Sequence, residues 1–195
     1  MRRHLPIAAS FAAGALLLAA CTSLPQEPAP LEQLDESTGA TLTVADKPLI
    51  FARDRSERAA NLRDYLSLVP ASVNRAGKIG FVLIGYAWST LDARNAAGGA
   101  GDTLIITADD RRLKFDPLPA DPLATGVSAP LRAPAGVSAI SHVYATDLGT
   151  LRFLAHSRSL KLQTSSAEDA PYYDLWDDTR GALRAFVRYA EGDRF

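Results

Sequence analysis

One cysteine, one methionine and three histidines are all that the 195 residues contain. A single cysteine excludes an internal disulfide framework. Past the start of the chain only His142 and His156 remain. With no His-x-x-x-His pair and no second cysteine, zinc is excluded too. An excess of positive charge is also missing, with 21 basic residues against 22 acidic. That balance argues against nucleic acid as a partner. Long apolar runs are lacking as well: Leu5 to Ala20 is sixteen residues and is interrupted by Pro6, whereas a helix crossing a bilayer needs roughly 20. The loop Gly98-Gly99-Ala100-Gly101 has no following lysine and no dinucleotide spacing, so it reads as a connection and not a phosphate cradle. Gly136-Val137-Ser138 is not completed into a nucleophile elbow. No cofactor or metal is expected from these residues.

What is present begins at the N-terminus. Met1-Arg2-Arg3-His4 is cationic, Leu5 to Leu18 is apolar, and Ala19-Ala20 precede Cys21. This is the layout of a secretory signal peptide over residues 1–20. The segment Leu18-Ala19-Ala20-Cys21 closely resembles the lipobox of bacterial lipoproteins. That resemblance implies cleavage before Cys21 and acylation of Cys21, with the membrane as a partner through the lipid. With Thr22 rather than aspartate after the cysteine, it further implies an outer-membrane lipoprotein facing the periplasm. Buried acyl carbons contribute about 0.8 kcal/mol each, so more than one chain makes such an anchor lasting. Removing Arg2 and Arg3 from the 21 basic residues leaves 19 against 22 acidic, a formal charge of −3.

Residues 21–40 hold three prolines and four acids without apolar periodicity, and read as a lipidated flexible tether. Residues 41–195 read as one globular α+β domain with an antiparallel sheet core and about three packed helices. Their 47% apolar content suits an adequate core. Asp54-Arg55-Ser56-Glu57 has capping-box spacing, and Ala59, Leu62, Arg63 and Leu66 continue it as a short helix. Two strands then flank Asn74-Arg75-Ala76-Gly77, the second running from Ile79 to Trp88 and buried on both faces. Thr103 to Ala108 and Arg111 to Phe115 pair as a hairpin. Five prolines between residues 117 and 136 demand a surface excursion. Val137 to Ala145 is a strand, Asp147 caps a helix with Leu148, Leu151, Leu154 and Ala155 on one face, and two strands from Leu160 and Tyr172 follow. Asp177 or Asp178 caps a last helix that buries Leu183, Phe186, Val187 and Ala190.

Candidate chemistry is sparse. Asp174, Asp177 and Asp178 lack the ligand ladder and closing glutamate of an EF-hand and read as capping acids. Ser138 or Ser141 with His142 and Asp147 is the nearest approach to a nucleophile set. His156 suits the carbonyl end of its helix. In the strand Tyr172 to Trp176, Tyr172, Asp174 and Trp176 share one face. Arg180, Arg184 and Arg188 form a basic stripe on the last helix. These six residues are the candidate recognition surface. Tyr86 and Trp88 read as core. The expectation is a non-catalytic protein that binds an envelope protein or glycan. The alternatives are an envelope serine hydrolase and a binder of a small apolar ligand.

Overall fold

The computed structural model describes residues 29–56, 61–90, 103–165, 167 and 170–192. Among these, one antiparallel sheet contains β1 (Leu31–Asp35), β2 (Ala40–Val44), β3 (Leu49–Asp54), β4 (Arg63–Arg75), β5 (Lys78–Ser89), β6 (Leu104–Ala108), β7 (Arg111–Phe115), β8 (Ile140–Thr146), β9 (Leu160–Gln163) and β10 (Tyr173–Asp177). The helices are α1 (Pro122–Thr125), α2 (Leu148–His156) and α3 (Arg180–Glu191). The α+β reading and its antiparallel core hold, with the balance tilted toward strand.

The long hairpin β4–β5 organises everything else. Its strands pair without interruption from Asp64 opposite Ser89 to Arg75 opposite Lys78. Ala76 and Gly77 close it with positive φ values of 49° and 86°, the conformation that matches strand twist across a two-residue turn. On the far edge of β5 lies β8. On the far edge of β4 lie two short strands end to end, β3 against residues 63–68 and β2 against residues 71–74. Pro70 sits at their junction, and its carbonyl accepts from Ala45 N at 3.0 Å. In an antiparallel ladder the N–H and C=O of one residue point to the same edge, so the donor that Pro70 lacks falls where β3 has ended. A proline inside a central strand is thereby tolerated.

From β3 the sheet continues through β10, β9 and β6 to β7. It then returns on itself: Pro117 bridges Tyr144 of β8, and Leu118 N donates to Val143 O at 2.8 Å. The inner face carries Leu49, Phe51, Leu66, Leu68, Ile106 and Leu162, packed in one cluster with Leu151 and Leu154 of α2 and Leu183 and Phe186 of α3. Asp147 caps α2 through Thr150 N at 2.8 Å, as its position predicts. On the outer face Val69, Ala71, Val73, Val82, Ile84 and Tyr86 are covered by the proline-rich strap, residues 117–139, through Leu118, Val127 and Leu131. The strap is pinned by Leu131 N, which donates to the Tyr86 hydroxyl at 2.7 Å, and by the Asp35 carboxylate, which accepts from Ser128 N and Oγ at 2.7 and 2.8 Å.

Several expectations are corrected. The helix from Asp54 to Leu66 is not formed: Asp54 ends β3 and Arg63 starts β4, while residues 57–60 lie outside those described. Its apolar positions also satisfy the alternation of a strand, and pairing with β3 and β5 decides for the strand. The third helix is instead the single turn α1 inside the strap, begun by Pro122 and capped by Asp121. The tether expected over residues 21–40 is shorter, because Leu31–Asp35 forms β1 and turns through residues 36–39 into β2. Four of the five β1 residues are exposed, which explains the polar, tether-like sequence. The N-cap of α3 is Thr179, without a side-chain cap bond, although the Asp178 carboxylate does accept from Arg180 N at 3.2 Å.

Candidate functional site

Two surfaces emerge where the sequence suggested one. The first is an aromatic ledge on the outer sheet face. Strand alternation places Tyr172, Asp174 and Trp176 outward and Tyr173 inward, and the exposures agree: Tyr172 46%, Trp176 55%, Tyr173 2%. Cross-strand register then adds residues that the sequence reading placed elsewhere. Tyr65, assigned to no site, stands opposite Trp88, assigned to the core. Their rings stack at 4.0 Å with planes 10° apart, and the Trp88 indole N–H donates to Ser67 Oγ at 3.2 Å. Trp176 meets Tyr65 edge-on at 6.4 Å and 82°, and the Arg63 guanidinium lies 4.3 Å over the Trp176 ring. Offset stacks, T-shaped pairs and arginine over indole are the favoured aromatic geometries.

Along one row of the outer face run Trp88, Tyr65, Ala52, Asp174 and Lys161, from β5, β4, β3, β10 and β9. The methyl of Ala52 keeps the middle low. At the far end Lys161 pairs with Asp174 at 3.4 Å and sits 5.8 Å from the Tyr172 ring centre. A bulge between Leu175 and Asp177 interrupts the β3 pairing where Trp176 projects. Arg63 is also paired with Asp54, and that hydrogen bond raises its guanidinium pKa above the usual value. Counting outward from the Ala76-Gly77 turn would have set Tyr65 beside Trp88, had the first strand been recognised to its beginning.

Beneath the ledge, on the inner face, is a buried charge network. Asp64 is 1% exposed and takes Arg55 at 2.6 Å and Arg53 at 3.3 Å. Arg53 in turn lies 5.4 Å from the ring centre of Tyr173. Burial pushes the Tyr173 hydroxyl up to about 12, so it stays neutral at any physiological pH.

The second surface is made by helices. Arg180 is used structurally: it pairs with Asp178, whose carboxyl is held below the usual value chiefly by that hydrogen bond, and donates to Ser157 O past the end of α2. Arg184 and Arg188 instead line a cleft of about 610 Å³ between α2 and α3, together with Arg152, His156, Gly181, Val187 and Glu191. The arginines therefore do not share a surface with Trp176. They belong to helices packed on the inner face, while the indole stands on the outer one.

The serine and histidine candidates fall apart by register. Ser141 pairs with Tyr86 and His142 with Gly85, so the two side chains leave β8 from opposite faces. Asp147 engages Thr150 with both carboxylate oxygens. His156 Nδ1 lies 2.9 Å from the Arg152 carbonyl at the end of α2. Among the described residues no three His, Cys, Asp or Glu converge, and no helix is long and apolar enough to cross a membrane. Cys21, the leader over residues 1–20 and the glycine loop over residues 98–101 lie outside the described residues. No family model, curated protein or solved structure matches the chain.

Proposed function

We propose that the protein is a lipid-anchored, non-catalytic component of the cell envelope, facing the periplasm from the outer membrane, that binds an envelope protein or glycan through the aromatic ledge. The lipobox-like start motivates the anchor. The ledge motivates the binding, and one observation carries it: Trp176 is 55% exposed, yet it is braced by Tyr65 and Arg63 instead of hanging free. Aromatic and arginine side chains held rigidly lose little entropy when covered, which is why they dominate recognition surfaces. An exposed half-indole offers on the order of 100 Å² of apolar surface, or about 2–3 kcal/mol on burial.

The test is a native pull-down from membranes with the anchored chain, a Cys21→Ala control and a Trp176→Ala variant, alongside co-sedimentation with isolated cell-wall glycan. A protein or glycan retained by the anchored chain and lost about 30-fold or more in Trp176→Ala supports the reading. Retention that ignores Trp176 removes the ledge from it. A second reading, a site for a small apolar ligand, is supported by a cleft of about 390 Å³ between strap and sheet lined by Ile84, Tyr86, Val127, Pro130, Val137 and Val143. Co-purified apolar molecules detected by native mass spectrometry would favour it.

A further inference from the structure

The cleft between α2 and α3 is built differently from the ledge and carries an inference independent of it. Three guanidinium groups face it, Arg152 from α2 and Arg184 and Arg188 from α3, against one carboxylate, Glu191. Among the described residues the lining charge is therefore +2 with His156 neutral. Like charges four apart on a helix disfavour it by a few tenths of a kcal/mol, and the packed face of α3 is Leu183, Phe186 and Val187. Core packing thus gives no reason for Arg184 and Arg188 to stand on the same stripe.

The lining also shows construction. One guanidinium nitrogen of Arg184, Nη1, donates to the Ala155 carbonyl at 3.1 Å, tying the group to the opposite helix. Arg152 Nε donates to Glu191 Oε1 at 2.6 Å, bridging the helices at the other end. Gly181 lies one turn before Arg184, and a Cβ there would stand 3.8 Å from Arg184 Nη2, so the glycine leaves the space beside that fork open. Val187, 2% exposed, forms an apolar floor. The result is a fixed cationic cleft within the size range of small-ligand sites, about 300–1,000 Å³.

We propose that this cleft binds a phosphomonoester group, carried by a small polyol or sugar or by a lipid headgroup. A phosphomonoester is a dianion near neutral pH, which matches the +2 lining, and its oxygens suit the two-pronged donor geometry of arginine better than that of lysine. A carboxylate would answer only half of that charge. The volume beyond the phosphoryl group accommodates its carrier, with Val187 beneath.

The test uses the full chain carrying Cys21→Ala, so that the lipid anchor does not interfere. Isotope-labelled protein is titrated with glycerol 3-phosphate, with inorganic phosphate and with acetate, and co-sedimented with phosphatidylcholine vesicles with and without phosphatidic acid. Amide shifts confined to α2 and α3, saturating with glycerol 3-phosphate or phosphate and weakened about tenfold or more in Arg184→Gln, are expected. Arg152→Gln should weaken binding as well, and Trp176→Ala should leave it unchanged. Binding to phosphatidic acid vesicles without response to the soluble esters assigns the site to a headgroup. Equal response to acetate, equal binding by Arg184→Gln, or no response to any probe overturns the proposal. Neither result bears on the ledge.

Discussion

Replacing Asp64 by asparagine should damage this fold more than any other single change of charge near the ledge. The carboxylate is 1% exposed and is shared by Arg55 and Arg53, whose side chains are 6% and 16% exposed. Removing one partner of a buried ion pair leaves a charge in a medium that solvates it poorly, at a cost of about 3–5 kcal/mol. For a domain of this size each kcal/mol moves the thermal midpoint by about 2–4 °C, so Asp64→Asn should lower it by roughly 6–20 °C. The matched control is Asp54→Asn. Asp54 also faces an arginine, Arg63, but its side chain is 69% exposed, and exposed pairs contribute about 0–1 kcal/mol. Urea unfolding followed by tryptophan emission is the assay, because both tryptophans of the chain, Trp88 and Trp176, sit on the outer face above the network. Equal midpoints for Asp64→Asn and Asp54→Asn, with unchanged slopes, would refute the assignment of a stabilising role to the network.

Tyr86→Phe deletes the acceptor of the buried Leu131 N–H and should destabilise by about 1–3 kcal/mol, with faster proteolysis inside residues 117–139 as the second readout. Gly126→Ala should be worse, since φ is +80° there and the new methyl would stand 2.5 Å from Val73 Cγ1; denaturant midpoints of the two variants rank them. Asp35→Asn addresses pH. Burial would raise the Asp35 carboxyl, but hydrogen bonds from Ser128 and Thr38 outweigh it and hold its pKa below the usual value. A depressed folded-state pKa stabilises above the unfolded value, near 3.9, and that contribution fades as pH falls through the folded one. The midpoints of wild type and Asp35→Asn should therefore differ at pH 7 and converge below about pH 4; a constant difference in thermal scans would disprove the linkage.

Much of the fold was legible from local pattern. The β4–β5 turn, the β6–β7 hairpin, the Asp147 cap and the apolar face of α3 each rest on residues within a few positions of one another. What escaped depends on distant partners. Leu62, Arg63 and Leu66 fit helical spacing, while Tyr65, Leu66, Ser67 and Leu68 fit a strand equally well, and only the flanking strands choose between them. The charge network joins Asp64 to residues nine and eleven positions earlier, which lie in reach only once β3 is laid against β4. The same limit governs the site. Alternation exposed Tyr172, Asp174 and Trp176, but Tyr65, Trp88 and Arg63 required register, and the separation of Trp176 from Arg184 required knowing which face of the sheet the helices cover.

The two short strands that share one edge of β4 make that strand a beam. Thirteen residues at about 3.3 Å each give it a length near 40 Å. Tyr65 and Arg63 stand near one end, while Leu31 enters through β2 at the level of Ala71. The ledge is thus carried on a lever arm of about 20 Å from the point where the N-terminal segment joins the sheet. A pivot of the domain about that junction leaves the ledge intact but swings it through an arc of several ångströms, so a bound partner could be followed as it shifts without any rearrangement of the surface that holds it.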